Sequence, residues 1–206
     1  MFMKNITCAL VAILISINCI GQSLWDVSKP DKTFQFGIET GINYASTSHD
    51  NASASKSGIQ TGIIFDYNII KSLSLSSGLF YTQNGFTSMY GDATMHYVKV
   101  PLYFSWRFET ITHVLFHVNV GTYVSYGIGG SIQYEPTFTN IYYFHQDCFG
   151  DQGFFKDYDA GMTVGGFIQV KDVKLGIGYD LGLVNIADVY GEFHNRNISI
   201  KLGYMF

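Results

Sequence analysis

Cysteine is nearly absent from this chain. Of the three in 206 residues, Cys8 and Cys19 lie in an apolar leader and Cys148 stands alone, so no disulfide framework organises the fold. Proline is equally scarce, at three residues, which leaves long segments free of the residue that cannot donate to a β-ladder. Charged residues make up only 14% and acids outnumber bases, a balance that disfavours nucleic acid as a partner. After the leader there is no further run of about 18 apolar residues, which excludes a helical membrane span from the rest of the chain.

What is plentiful is turn and strand chemistry: 22 glycines, 15 tyrosines and 17 phenylalanines, in a length that suits one domain. The leader itself has a basic residue, Lys4, then an apolar run from Ile6 through Ile17, then the polar switch Asn18 to Gln22. That is the layout of a signal peptide over residues 1–21. Asn18 in front of Cys19 makes lipidation there the weaker reading. Removal of the leader leaves 11 basic and 16 acidic residues, a net charge of −5. Residues 22–33 then form a periplasmic N-terminal segment, and 34–206 a barrel domain.

From residue 34 onward one period recurs. Phe34, Phe36, Ile38, Ile42 and Tyr44 alternate with Gln35, Gly37, Glu39, Gly41 and Asn43. Ile59, Ile63, Phe65, Tyr67 and Ile69 alternate with small or polar partners over 58–69, as do Leu73, Leu75, Leu79 and Tyr81 over 73–84. The pattern repeats over 96–106, 114–126, 158–170 and 174–184, and closes with Ile198, Ile200, Leu202, Tyr204 and Phe206. Eight such segments, each of about ten residues or more, with one greasy and one polar face, predict an all-β, eight-stranded antiparallel up-and-down transmembrane β-barrel. A soluble eight-stranded barrel shares the count, but the connections here alternate in length. Residues 70–72, 107–113 and 171–173 are brief, whereas 46–57, 85–95, 127–157 and 185–195 are long. The brief turns and both termini are therefore assigned to the periplasm of an outer membrane and the long loops to the cell exterior.

An interior this narrow is filled by side chains. Inward glycines leave room for Tyr97, Tyr103 and Tyr123, and a plugged lumen follows. The inward charges Glu39, Asp66, Asp159 and Asp180 face Lys99, Lys174 and Lys201, with His117 able to join. Each would be costly alone, so a paired lumen network is expected, with Lys201 the candidate partner of Glu39. The loop 127–157 is rich in rings: Tyr134, Phe138, Tyr142, Tyr143, Phe144, Phe149, Phe154 and Phe155. They are read as extending the neighbouring strands and capping the mouth, or as a platform for a protein, glycan or lipopolysaccharide partner. His145, Asp147, Cys148 and Asp151 fall close together, but a polar loop is the favoured reading over a metal site, and no cofactor motif occurs.

Several short marks resemble a known family. Phe36-Gly37-Ile38-Glu39-Thr40-Gly41-Ile42-Asn43, Ser77-Gly78-Leu79-Phe80-Tyr81 followed by Gly85, and Tyr97-Val98-Lys99-Val100-Pro101-Leu102 are similar to the outer-membrane β-barrel domain of Bacteroidetes proteins called PorT-like, as are Asp159-Ala160-Gly161 and Tyr179-Asp180-Leu181-Gly182. The resemblance spans about residues 33–206. It implies a barrel without catalytic residues, and a role in secretion or surface assembly for some members. Members usually carry an acid where Lys99 stands, which points Lys99 toward Glu39 or Asp66. The closing row Leu202, Tyr204 and Phe206 resembles the signal read by barrel-assembly machinery. The competing function is a lipid-modifying enzyme, a lipid A deacylase or acyltransferase. It would need a serine and a histidine together at outer-leaflet height, and the spacing of the histidines compels no such group.

Overall fold

The computed structural model describes residues 25–47, 54–88, 91–109, 114–134, 145–150, 153–187 and 193–206. The leader 1–21 lies outside them, as do Phe138, Tyr142, Tyr143 and Phe144 and the side chain of Tyr134. The strands are β1 (Phe34–Thr47), β2 (Ala54–Ile70), β3 (Leu73–Ser88), β4 (Gly91–Glu109), β5 (Val114–Tyr134), β6 (His145–Asp147), β7 (Tyr158–Val170), β8 (Val173–Gly182) and β9 (Asn195–Met205). All except β6 join one antiparallel up-and-down sheet that closes on itself through β1 and β9, with Gly41 opposite Lys201. The eight-stranded barrel is thus present, and closure leaves no unpaired edge around it. Among the described residues, three-residue β6 pairs with the upper end of β5 alone.

The greasy rows point outward. Phe36, Ile38, Ile42, Ile63, Leu102, Phe104, Val120, Ile177 and Ile200 are all exposed, while Glu39, Asn43, Asp66, Ser76, Lys99, Ser105 and Ser199 are buried in the lumen. That inverts the rule for a soluble sheet and suits a barrel solvated by acyl chains. Rings gather where the outward rows end at the turn side: Phe34 stacks on Phe65, Phe108 on Phe116, and Tyr204 meets Phe206 edge-on.

Strands β3 and β4 run further than the periodicity suggested. Residues 85–88 and 91–95, expected as loop, continue the ladder, with Phe86 opposite Ala93 and Thr87 opposite Asp92. The reason is visible along β4, where the alternation reverses polarity. From Val98 to Phe104 the outward residues are apolar and the inward ones include Lys99, whereas above it Ala93 and Met95 are buried and Asp92 and Thr94 point out. Outside the bilayer the exterior of the ribbon is wet, so the greasy face turns inward as in any soluble sheet. A single membrane period does not recognise such a stretch as strand. Likewise β4 reaches Glu109 and β5 reaches Tyr134, so the turn expected from 107 starts later and the loop expected from 127 begins as strand. Only β5 is prolonged into that loop. Strand β7 starts at Tyr158, where the periodicity starts.

Candidate functional sites in the lumen and its cap

The lumen is filled rather than hollow. Ile64, Phe80, Tyr103 and Met205 pack together across it, with Phe167 buried alongside. Glycines opposite these rings are what admit them. A Cβ on Gly176 would stand 2.3 Å from the Phe167 ring, and one on Gly121 would stand 2.5 Å from Tyr103 Cβ. Tyr103 was legible as a filler, but Phe80 and Phe167 were not assigned to the interior, although both share the parity of inward neighbours. Between Lys99, Asp180 and Tyr97 the free space is a cavity of about 10 Å³, room for roughly one water.

Charges are threaded through this packing. Lys174 Nζ donates to Asp66 Oδ2 at 2.9 Å, joining β8 to β2 across the barrel. Lys201 Nζ lies 3.3 Å from Glu39 Oε1 on the adjacent strands β9 and β1. Lys99 pairs with Asp180 of β8, with Asn197 Nδ2 also donating to Asp180 at 3.4 Å. The pairing of Lys99 with Glu39 or Asp66 is therefore corrected. Those two acids already hold Lys201 and Lys174, and Asp180 approaches from the far wall, a relation that strand register alone does not reveal. Lys99 also sits 4.7 Å from the centre of the Tyr123 ring. Asp159 is held by neutral donors instead of a lysine: Tyr123 Oη at 3.1 Å and Asn195 Nδ2 at 2.9 Å.

His117 is buried low in the barrel, where its Nε2 donates to Gln169 Oε1 at 3.0 Å and Ser105 Oγ lies 3.4 Å from Nδ1. This is a serine–histidine contact, but it faces neither leaflet, and an amide occupies the position an orienting acid would take. One inward charge escaped the sequence reading. Arg107 is buried with its Nη2 donating to Ile70 O at 3.2 Å. The inward row Lys99, Pro101, Tyr103, Ser105 continues to it, and it was missed only because 107 was taken as the start of a turn.

Over the extracellular mouth sits a second apolar core, formed by Phe86, Met95, Tyr97, Ile132, Cys148, Phe155 and Ile186, with Phe149 and Phe193 packed against it. Phe149 meets the Tyr97 ring edge-on at 5.3 Å, and Phe155 contacts Phe86 and Phe193 at 6.0 and 6.1 Å. Phe154 points to solvent. Of the loop rings within the described residues, two therefore pack inward and one does not. Cys148 is fully buried here, its Sγ 3.5 Å from Thr94 O. Burial pushes its thiol up to about 12. Among the described residues no group of histidine, cysteine and acids is placed to hold a metal.

A family model described as outer membrane protein beta-barrel domain matches residues 22–188. The chain belongs to this family. As a member it is an outer-membrane β-barrel whose short turns, Lys71–Ser72 and Lys171–Asp172, face the periplasm and whose cap and longer loops face outward. No curated protein matches its sequence. Among solved structures it is similar to the attachment invasion locus protein Ail of Yersinia pestis, at 13% identity over 85% of this chain and 100% of that one, TM-score 0.49. Neisserial surface protein A is similar at 14% identity, over 85% and 98%, TM-score 0.47. OprG of Pseudomonas aeruginosa is similar at 13%, over 88% and 99%, TM-score 0.46.

Proposed function

We propose that this barrel is a non-enzymatic interaction protein of the cell envelope, with a closed lumen and a binding surface on its extracellular cap. The observation that carries this reading is the independent cap core. The lumen beneath is already filled by Phe80, Tyr103 and Phe167, so a second core of Phe86, Met95, Cys148, Phe155 and Ile186 is not needed to plug it. Its effect is to fix the described segments around Cys148, Phe155 and Ile186 in one arrangement, which lowers the entropy lost when a partner binds there. Phe154 and the loop rings Tyr134, Phe138, Tyr142, Tyr143 and Phe144 are the candidate contacts, for a protein of the envelope or for lipopolysaccharide.

The marks shared with PorT-like barrels, notably Tyr97 to Leu102 and Tyr179 to Gly182, support a place in secretion or surface assembly. The outward row Leu202, Tyr204 and Phe206 is proposed as the segment engaged by barrel-assembly machinery. A lipid-modifying activity has no comparable support, because Ser105 and His117 meet inside the lumen, away from the outer leaflet. Pull-down from gently solubilised outer membranes, comparing the intact protein with a variant shortened within 135–144, tests the proposal. Loss of a specific partner on shortening is the expected result. An identical partner set would remove this loop as the binding site.

A further inference from the structure

The periplasmic end of the barrel holds a larger space than its lumen. A cavity of about 460 Å³ opens between the segment 26–35, the β2–β3 turn, the ends of β4 and β5, and the β7–β8 turn. Residues 26–33 cross this end as a strap: Asp26 O accepts from the Ser72 backbone N–H and hydroxyl, and Ser28 O accepts from Lys71 N–H. The strap is itself braced, since Asp26 Oδ1 accepts from Ser28 N–H at 2.9 Å; the Ser28 hydroxyl first, and this N–H second, hold its carboxyl below the usual carboxylate range. The volume is in the range of small-ligand sites.

At the inner wall two polar atoms have no partner among the described residues. Arg107 is 6% exposed, yet its Nε has no hydrogen-bond partner, and Asn68, at 4%, leaves its Oδ1 unpartnered. The amide group of Asn68 is oriented by its other end, with Nδ2 donating to Lys32 O at 2.6 Å and to Gln35 Oε1 at 3.1 Å. Asp66, the acid deeper in the lumen, is taken by Lys174. A buried guanidinium donor and a buried carbonyl acceptor left open are each costly. An oxyanion is the chemical complement of the first and an N–H that of the second.

The rim narrows the class. Glu109, Asp172, Asp26 and Asp31 line it together with Lys32, Lys71 and Lys171. Lys71 lies 3.8 Å from Asp31, and Lys32 donates to Phe206 O at 3.3 Å. Among the described lining residues four acids stand with four bases, Arg107 included, a balance that suits a ligand carrying both signs better than a simple polyanion. We infer that this cavity binds the carboxyl-terminal end of a short peptide, the carboxylate on Arg107, the last amide N–H on Asn68 Oδ1, and the free amine toward the rim carboxylates. The fork of arginine fits a carboxylate in a way that a lysine does not.

The test uses the full barrel, isotope-labelled in detergent micelles, with trialanine as probe. Trialanine is expected to shift the amide resonances of 68–72 and 107–109. Amidation of its carboxylate should weaken binding about tenfold or more, consistent with loss of a charge-assisted bond, and N-acetylation should weaken it to a smaller degree. Arg107→Lys, which keeps the charge, and Arg107→Gln should both reproduce the loss caused by amidation. Intact folding of each variant is checked by the mobility shift between unheated and boiled samples in gels. The inference is overturned by an absence of shifts up to ~10 mM peptide, by equal binding of amidated trialanine, by unchanged binding in the folded Arg107→Lys variant, or by inorganic phosphate displacing the peptide at equal concentration.

Discussion

Lys174 and Asp66 meet at 2.9 Å although their strands, β8 and β2, are not neighbours in the sheet. The contact spans the lumen, and both side chains are almost wholly removed from solvent. Replacing one partner strands the other charge in a poorly hydrated interior. Lys174→Met is therefore expected to destabilise the barrel by about 3–5 kcal/mol, and the double variant with Asp66→Leu to recover most of it. Denaturant unfolding in detergent or lipid vesicles reads both. A single variant as stable as the parent would show that water reaches the pair freely.

Gly176 faces the Phe167 ring at a separation that no Cβ tolerates. Gly176→Ala should cost about 1–3 kcal/mol through overpacking. Adding Phe167→Leu should restore part of the loss, because the smaller side chain vacates the contact. Non-additivity in that double-mutant cycle is the measurement.

The thiol of Cys148 is buried and its pKa pushed up to about 12. A thiol-directed maleimide near neutral pH should leave the folded protein unlabelled and label it fully once denatured. The same shift has a sign in stability. The unfolded thiol loses its proton near 9 while the folded one keeps it, so this group's contribution declines as pH rises from about 9 toward 12. Cys148→Ala should flatten the alkaline limb of a stability–pH profile.

Phe155 anchors the cap through Phe86 and Phe193. Truncation to alanine removes a buried ring worth about 3–5 kcal/mol, but the loss falls on the cap and not on the closed ladder. Protease added outside proteoliposomes should cut Phe155→Ala within the outer loops while the membrane-embedded strands survive. Uncut loops would mean that the ring does not hold the cap.

With Ile64, Phe80, Tyr103 and Met205 closing the interior, the protein should show no stable single-channel conductance in planar bilayers. A steady open level would contradict the packed lumen and with it the proposal of a closed barrel.

The membrane-embedded part of this molecule was readable in the chain because the environment imposes one rule there. Phe36, Ile38 and Ile42 must meet lipid, and Glu39 and Asn43 must not, so alternation alone placed them. Phe86, Ala93 and Met95 were unreadable by that rule, since above the bilayer the same strands obey its opposite. Arg107 was hidden by a strand end placed at 106 where the structure carries it to Glu109. The partner of Lys99 was hidden for another reason: pairs between adjacent strands follow register, as Lys201 and Glu39 do, whereas contacts across the lumen depend on the three-dimensional closure of the barrel. The cavity at the periplasmic end is assembled from four separate stretches, each unremarkable alone.

The pairing of Gly41 with Lys201 joins strands from opposite ends of the barrel sequence. Every other pairing in the wall links strands that follow one another around the barrel, β6 aside, across connections much shorter than the barrel sequence itself. The β1–β9 seam therefore carries the largest single loop-closure cost in the wall, and it is expected to be the slow step in folding. Until that seam zips, two strands expose bare peptide groups to whatever surrounds them, and lipid cannot satisfy them. Insertion is thus expected to be cooperative, with open sheets too short-lived to accumulate and the barrel passing in one step from unclosed chain to finished wall.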